Sequence, residues 1–430
     1  MEQDELKRKL LGLWEKTTHN SKDLLSILFD YYFDLKYIEY KETEGKVVSA
    51  LCGIPYYFGY GEKLLKGLYI ISLTSEEGFR KKGVLASLLT NLNERIKEEF
   101  DFTFIVPATE LLADYYGSQG YFSSFYILEE RFTPLHDFRN DYLLSLNESD
   151  ERIKKLKIAL LDEIQVTENT NNVFPKKDII DFIISIEKKS TSSVNLCHKE
   201  KDLDYLLGDQ SIRNLNYFIS FDADNNITGV AFTKKEDIKR TKIISIYVSD
   251  TCSYYCLLDF IKHKFADHSL SIYTSDPKYQ MHSIIQQTYA SANPSGGDLD
   301  NSFSTIEIPF NINKLLHPLG MVRLLRFERI LNYIAETHSD VDFKLYLRDY
   351  KEVDSNSTDD NEKTDKVLYI VKNGKCSPVS YDKSKNDRSV LDLSTKEFSE
   401  LLLRKNDSSN LIMEAFGIPR LNLQVRLLPC

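Results

Sequence analysis

The 430-residue chain holds six cysteines, Cys52, Cys197, Cys252, Cys256, Cys376 and Cys430, and no two are spaced as C-x-x-C. That excludes a zinc ribbon, and the scatter offers no disulfide framework, so reduced thiols in a cytoplasm are the expectation. No apolar run approaches the roughly 20 residues of a membrane span. Met1 is followed by Glu2, Gln3, Asp4 and Glu5 rather than by a basic stretch and an apolar core. The reading is a soluble, cytosolic protein without a membrane partner. Positive charge is in short supply, 55 Lys and Arg against 65 Asp and Glu, for a net charge of −10. Nucleic acid is therefore a poor main partner, because neutralising phosphates needs a cationic face. Glycine and proline are also sparse, at 17 and 11, and with 42% hydrophobic and 28% charged residues this excludes a disordered or collagen-like chain.

What is there is enough for two or three domains of about 100 to 200 residues each. Leu6, Leu10, Leu11 and Trp14, then Leu24, Leu25, Leu28 and Tyr31, recur at helical spacing and predict two leading helices. Strands are expected over 37–40, 46–52 and 66–73, with Glu44-Gly45 turning the first two into a hairpin. A helix over 84–98, an apolar strand over 102–106, a short helix over 111–116 and a strand from Gly120 to Phe132 follow. Helices over 149–165 and 176–188 lead to strands over 217–221, 227–232 and 241–248, a helix over 253–265 and a strand over 269–273. Hairpin, strand, helix, strand thus occurs twice. Residues 291–297 read as a loop. Beyond His317-Pro318 come a helix over 325–336, strands over 343–348 and 367–371 with a polar, acidic loop over 353–365 between them, and a helix from Ser394. The end of the chain, 421–430, alternates and then turns apolar, as a strand would.

The first repeat carries the chemistry. Its turn, Arg80-Lys81-Lys82-Gly83-Val84-Leu85, follows an apolar strand and opens a helix with Leu85, Leu88, Leu89, Leu92 and Ile96 on one face. Backbone amides and cations at a helix N-terminus suit a pyrophosphate. At the second copy, Val248 to Ser253 contains neither glycine nor a basic residue, so that copy reads as a structural duplicate without the cradle. The turn and the downstream Tyr116-Gly117 to Gly120-Tyr121 segment resemble the GCN5-related N-acetyltransferases (GNAT), whose signature is R/Q-x-x-G-x-G/A, with Leu85 standing where that family has Gly or Ala. Leu85, the Tyr116 to Tyr121 segment and the two further domains resemble the enhanced-intracellular-survival (Eis) branch; the junction from His317 to Leu325 looks similar as well.

That resemblance implies an α/β (α+β) fold: tandem GNAT-like domains with mixed, partly parallel sheets flanked by helices, plus a C-terminal α+β domain like sterol carrier proteins. The implied divisions are a catalytic domain over 1–134, a degenerate GNAT-like domain over 135–316 and the sterol-carrier-like domain over 317–430. The implied cofactor is acetyl-CoA, with its pyrophosphate on Arg80, Lys81, Lys82, Gly83, Val84 and Leu85 and its pantetheine arm on main-chain groups of Ile71 and Leu73. By the same resemblance Tyr116 is the general acid that protonates the departing thiolate, the alternative being one packing aromatic among 26 Tyr. The terminal carboxylate of Cys430 is the base the resemblance implies. Glu110, acting through water, is the other candidate, against a solvated loop carboxylate. The expected activity is direct acetyl transfer to a primary amine: a small cationic amine, an aminoglycoside-like compound or a lysine. The chain's acidity favours such acceptors. Some Eis-like proteins assemble into homo-oligomers. The alternative is a non-catalytic acyl-CoA- or lipid-binding protein. Cys252, Cys256, His263 and His268 lack paired zinc-ligand spacing, and Asp354, Asp359, Asp360 and Glu362 lack a calcium-loop register, so no metal is expected.

Overall fold

The computed structural model describes residues 2–18, 22–60, 62–132, 157–160, 176–189, 194–208, 215–274, 315–348, 367–380, 390–403 and 423–424. Along the chain run α1 (Glu2–Thr18), α2 (Lys22–Tyr32), β1 (Ile38–Thr43), β2 (Lys46–Tyr60), β3 (Lys63–Ser75), α3 (Val84–Ile96), β4 (Phe102–Ile105), α4 (Glu110–Ser118) and β5 (Phe122–Phe132). Then come β6 (Lys157–Leu160), α5 (Lys176–Lys189), β7 (Val194–Cys197), α6 (Glu200–Leu206), β8 (Leu215–Phe221), β9 (Ile227–Asp237), β10 (Arg240–Val248), α7 (Thr251–Lys264) and β11 (Ser269–Thr274). The last part holds β12 (Leu315–Leu324), α8 (Phe327–Thr337), β13 (Phe343–Leu347), β14 (Val367–Lys372), β15 (Lys375–Ser380), β16 (Val390–Leu393), α9 (Thr395–Leu403) and β17 (Leu423–Gln424). The expected loops at 291–297 and 353–365, and the terminal residue Cys430, lie outside the described residues.

The chain forms two compact units: one of Met1–Tyr126, Thr191–Leu196 and Pro318–Leu423, the other of Ile127–Ser190, Cys197–His317 and Gln424–Cys430. In the first, β1, β2 and β3 form an antiparallel meander and α3 crosses over to β4, which pairs parallel with β3. Gly67 on β3 is required by packing, since a Cβ there would stand 2.6 Å from the Phe102 ring. The sheet has two apolar faces. Leu10, Leu13 and Trp14 of α1 and Leu25 and Phe29 of α2 cover Val47, Ala50 and Cys52; Leu88, Leu89, Leu92 and Ile96 of α3 cover Leu51, Leu68, Ile70 and Ile105. Each helix buries the stripe that its 3.6-residue periodicity aligns.

In the second unit, β8, β9 and β10 form an antiparallel meander, α7 crosses over, and β11 pairs parallel with β10. The topology repeats that of β1 to β4. Tyr254, Leu257, Leu258 and Ile261 of α7 pack on Phe218, Ala231, Ile243 and Leu270 as α3 packs on its own sheet.

Three local expectations are corrected. Residues 157–160, inside the expected helix over 149–165, form a strand paired antiparallel with β8, because an edge of the meander is open to them. The β2–β3 hairpin extends to Tyr60 and Lys63, past the expected strand end at Cys52 and the expected strand start at Lys66. The stretch from His317 to Leu324, expected as a domain junction with no secondary structure assigned to it, lies in a strand. Met321–Leu324 of β12 pairs antiparallel with Ile105–Phe102 of β4, so β4 has a neighbour from more than 200 residues downstream. A four-stranded sheet in the order β15-β14-β13-β16, with α8 and α9, completes this part. Among the described residues no helix is long and apolar enough to cross a membrane, and none of the five described cysteines is in a disulfide.

Candidate functional site

The site is built where β3 and β4 part. Their pairing covers only Gly67–Phe102, Leu68–Thr103 and Tyr69–Phe104, whereas β3 runs on to Ser75. From Ile70 onward β3 therefore has β2 along one edge and no strand of the described residues along the other. That stretch is also bulged: between the pairs Ala50–Thr74 and Cys52–Ile71, one residue of β2 opposes two of β3. Ser72, at φ +54°, takes up the extra residue. The chain's single tryptophan holds the bulge, with the Trp14 indole Nε1 donating to the Ser72 carbonyl at 2.6 Å. A trans peptide directs its C=O and N–H oppositely. With the Ser72 carbonyl turned to α1, the Leu73 N–H is directed away from α1. Side chains divide the same way, Ile71 packing with the α1 and α2 residues and Leu73 with those of α3 and α4.

The basic turn follows directly. Arg80 Nε donates to the Ser75 carbonyl at 3.2 Å, tying the turn to the end of β3. Lys81 at φ +60° and Gly83 at φ +75° curl the backbone into a concavity of amides. Gly83 is the N-cap of α3 and carries no side-chain cap; the first amide bonded into the helix is Ser87 N, to Gly83 O at 3.0 Å. The amides of Val84, Leu85 and Ala86 are thus left for a ligand, at the positive end of the helix dipole. A Cβ on Gly83 would project into open space, so the turn presents bare backbone. Leu85 does not obstruct it, because its side chain packs inward on the α3 core.

Tyr116 reaches the same cluster from α4. Its ring is 4% exposed, packs edge-on against Tyr115 at 5.3 Å, and shares a core with Leu73, Leu85, Leu88 and Leu112. Its hydroxyl makes no hydrogen bond to the described residues. By contrast, the Tyr121 hydroxyl is engaged with Thr103 Oγ1 at 2.8 Å. Burial, reinforced by Tyr115 and Tyr121, pushes the Tyr116 phenol well above its ordinary value and keeps it a proton donor. The structure therefore brings Leu73, Arg80 to Leu85 and Tyr116 together around the β3–β4 opening, and places the Ile71 side chain on the opposite face of β3.

Glu110 is exposed in the first turn of α4, where the helix dipole favours a carboxylate. It stands about 9 Å along the helix from Tyr116 at 1.5 Å per residue. Cys430 is outside the described residues, and β17, six residues before it, lies beside β7 at the far side of β2. Three contributors escaped the sequence reading: Trp14, Ser72 and Arg323, whose Nη1 donates to the Gln119 carbonyl at 3.0 Å just past α4. A lone Trp on an apolar helix face reads as core, and nothing local reveals its indole bond.

The second copy shows why it lacks a cradle. The N-cap of α7 is Asp250, whose Oδ1 accepts from Ser253 N at 2.9 Å and whose Oδ2 accepts from Ser249 Oγ at 2.7 Å. A carboxylate of the chain itself occupies the end of the helix that an anion would need.

No family model matches the chain, and no curated protein matches it in sequence. Solved structures do match in three dimensions. A GCN5-related N-acetyltransferase from Anabaena variabilis is 13% identical and superposes with a TM-score of 0.62 over 98% of this chain and 97% of its own. One from Kribbella flavida is 14% identical, with a TM-score of 0.55 over 92% and 84%. These likenesses show the fold: the chain is folded as the GCN5-related N-acetyltransferases are. Eis1 from Mycobacterium abscessus, 8% identical, gives a TM-score of 0.56 over 92% of this chain and 90% of its own, so the likeness covers more of the chain than one acetyltransferase-like domain.

Proposed function

We propose that the protein is an acetyl-CoA-dependent N-acetyltransferase acting on primary amines by direct transfer. The observation that supports this most is the convergence, at one strand opening, of an uncapped helix N-terminus, a bulged strand and a buried phenol without a partner. Acetyl-CoA supplies the activated acetyl group when bound. The residues fit it: the amides of Val84, Leu85 and Ala86, with Arg80, Lys81 and Lys82 around them, suit the pyrophosphate, and the free edge of β3 at Ile71 and Leu73 suits the pantetheine arm. The Leu73 N–H, fixed by the Trp14–Ser72 bond behind it, stabilises developing charge on the carbonyl oxygen. Tyr116 delivers the proton that the departing sulfur needs.

The acceptor class is a cationic amine, a polyamine, aminoglycoside-like compound or lysine, in keeping with the net charge of −10. Its proton goes to a carboxylate, either the chain terminus at Cys430 or Glu110 through water. We read the β13 to β16 part as the sterol-carrier-like domain and the cytoplasm as the location. The test is release of coenzyme thiol from acetyl-CoA against a panel of amines, for the wild type, Glu110→Gln and a chain lacking Pro429 and Cys430. Turnover on at least one amine supports the reading, and the variant that abolishes it identifies the base. Tight acetyl-CoA binding with no turnover on any amine would replace it with a non-catalytic acyl-CoA-binding role.

A further inference from the structure

Helix α7 has two unlike sides. Tyr254, Tyr255, Leu257, Leu258 and Ile261 are buried against the sheet of the second unit. The other side carries Cys252, Cys256, Asp259 and His263, at spacings of four, three and four residues that place them along one stripe. Both cysteines are half-buried, and their sulfurs approach to 4.0 Å. At a soft metal–sulfur distance of about 2.3 Å, sulfurs 4.0 Å apart are close enough for both to bond to one bridging atom. We propose that Cys252 and Cys256 form a dithiol site for a thiophilic ion or metalloid of the trivalent-arsenic class, on the helix whose phosphate cradle Asp250 has closed.

Two thiols select soft centres over the hard cations that carboxylates prefer. The site differs from a structural zinc centre, because among the described residues no group of three or more His, Cys, Asp and Glu is placed to hold a metal ion. Burial, with Cys252, Asp259 and Asp250 adding to it, pushes the Cys256 thiol up to about 12. Alkylating reagents that require a thiolate therefore react slowly there. An arsenical with an As=O group needs no free thiolate: both S–H bonds break, two As–S bonds form, and the oxygen leaves with the two protons as water. Arsenic stays trivalent and no oxidant is consumed.

The probe is phenylarsine oxide, added to the full-length protein in the presence of excess 2-mercaptoethanol and read by intact mass and peptide mapping. One adduct per chain is expected, on the peptide spanning 251–264. Cys252→Ser and Cys256→Ser should each lower apparent affinity by about 10²-fold or more, because the second sulfur is already held in place. Cys197→Ser and Cys376→Ser should leave it unchanged. Absence of a monothiol-resistant adduct in the wild type, its mapping to another peptide, or its persistence in Cys252→Ser would each overturn the site. The wild-type mapping decides the question even if a serine variant misfolds.

Discussion

The Tyr116 hydroxyl ends a buried ring yet has no hydrogen-bond partner among the described residues, so it contributes little to holding the fold together. Tyr116→Phe keeps the ring packing against Tyr115 and Leu112. Its melting temperature should therefore match the wild type to within a change in stability of about 0.5 kcal/mol, while kcat falls by about 10²- to 10⁴-fold. Because the phenol is held above the usual tyrosine value, its loss as an acid lies beyond that value: the wild-type rate should show no alkaline fall through about pH 10. A fall centred near or below pH 10, or a Phe variant with wild-type kcat, would assign Tyr116 to packing alone. At this scale the sequence was informative where chemistry needs a particular residue type in a local pattern. Arg80 and Gly83 stood out on that ground, and Tyr116 only through the resemblance to the GCN5-related N-acetyltransferases. Trp14 and Ser72 did not, since their bond joins residues 58 apart and depends on a bulge that no local pattern announces.

Helix α4 carries Tyr116, and both ends of the helix are tied. Thr109 caps the first turn by accepting from Leu112 N at 3.3 Å. At the other end Gln119 N and Tyr121 N both donate to the Tyr116 carbonyl, at 2.9 and 3.1 Å, and Arg323 of β12 donates from Nη1 to the Gln119 carbonyl at 3.0 Å. The turn between them passes through Gly120 at φ +83°, with the Arg323 side chain alongside at 3.8 Å from where a Cβ would stand. A cation beside the C-terminal carbonyls also complements the helix dipole. Arg323→Met keeps most of the aliphatic stem and loses the bond, so α4 shifts while the cradle of Arg80 to Leu85 is untouched. We expect kcat to fall by up to about 10²-fold, the effect of a misplacement near 1 Å, with the KM for acetyl-CoA unchanged and partial recovery in Arg323→Lys. A raised KM with kcat intact would show that Arg323 acts on coenzyme binding instead. Elements with clean periodicity, such as α3, β4, β10 and α7, were legible in advance. The strand β6 and the far half of the β2–β3 hairpin were not, because an open sheet edge or a long partner strand overrode local signals.

The first unit joins stretches more than 190 residues apart, and the joint is made by backbone as well as side chains. Besides the pairing of β12 with β4, Leu325 N and Arg326 N donate to the Asp101 carbonyl at 2.9 and 3.2 Å. Arg326 Nη1 donates to the Glu98 carbonyl at 2.8 Å, and His338 Nε2 meets the Tyr60 hydroxyl at 2.9 Å. The Asp101 carboxylate, wholly buried, accepts from Lys66 N at 2.7 Å and has the Arg329 guanidinium 3.2 Å away, close enough for attraction but not aligned as a hydrogen bond. Burial raises its pKa despite Lys66, Arg329 and Arg326, so the cations compensate its desolvation only in part. Removing everything after residue 134 strips β4 of an edge partner and leaves Asp101 without Arg329 and Arg326. An unpaired buried carboxylate costs about 3–5 kcal/mol, a large share of the 5–15 kcal/mol that holds a typical domain, and the bared apolar strand invites edge-to-edge association. A fragment of residues 1–134 should thus aggregate or lack near-UV circular dichroism from Trp14. Co-expression with residues 315–430 should restore the signal. A soluble fragment with a cooperative melt close to that of the whole protein would show that β12 is an accessory strand, and that the acetyltransferase-like sheet is complete at β4.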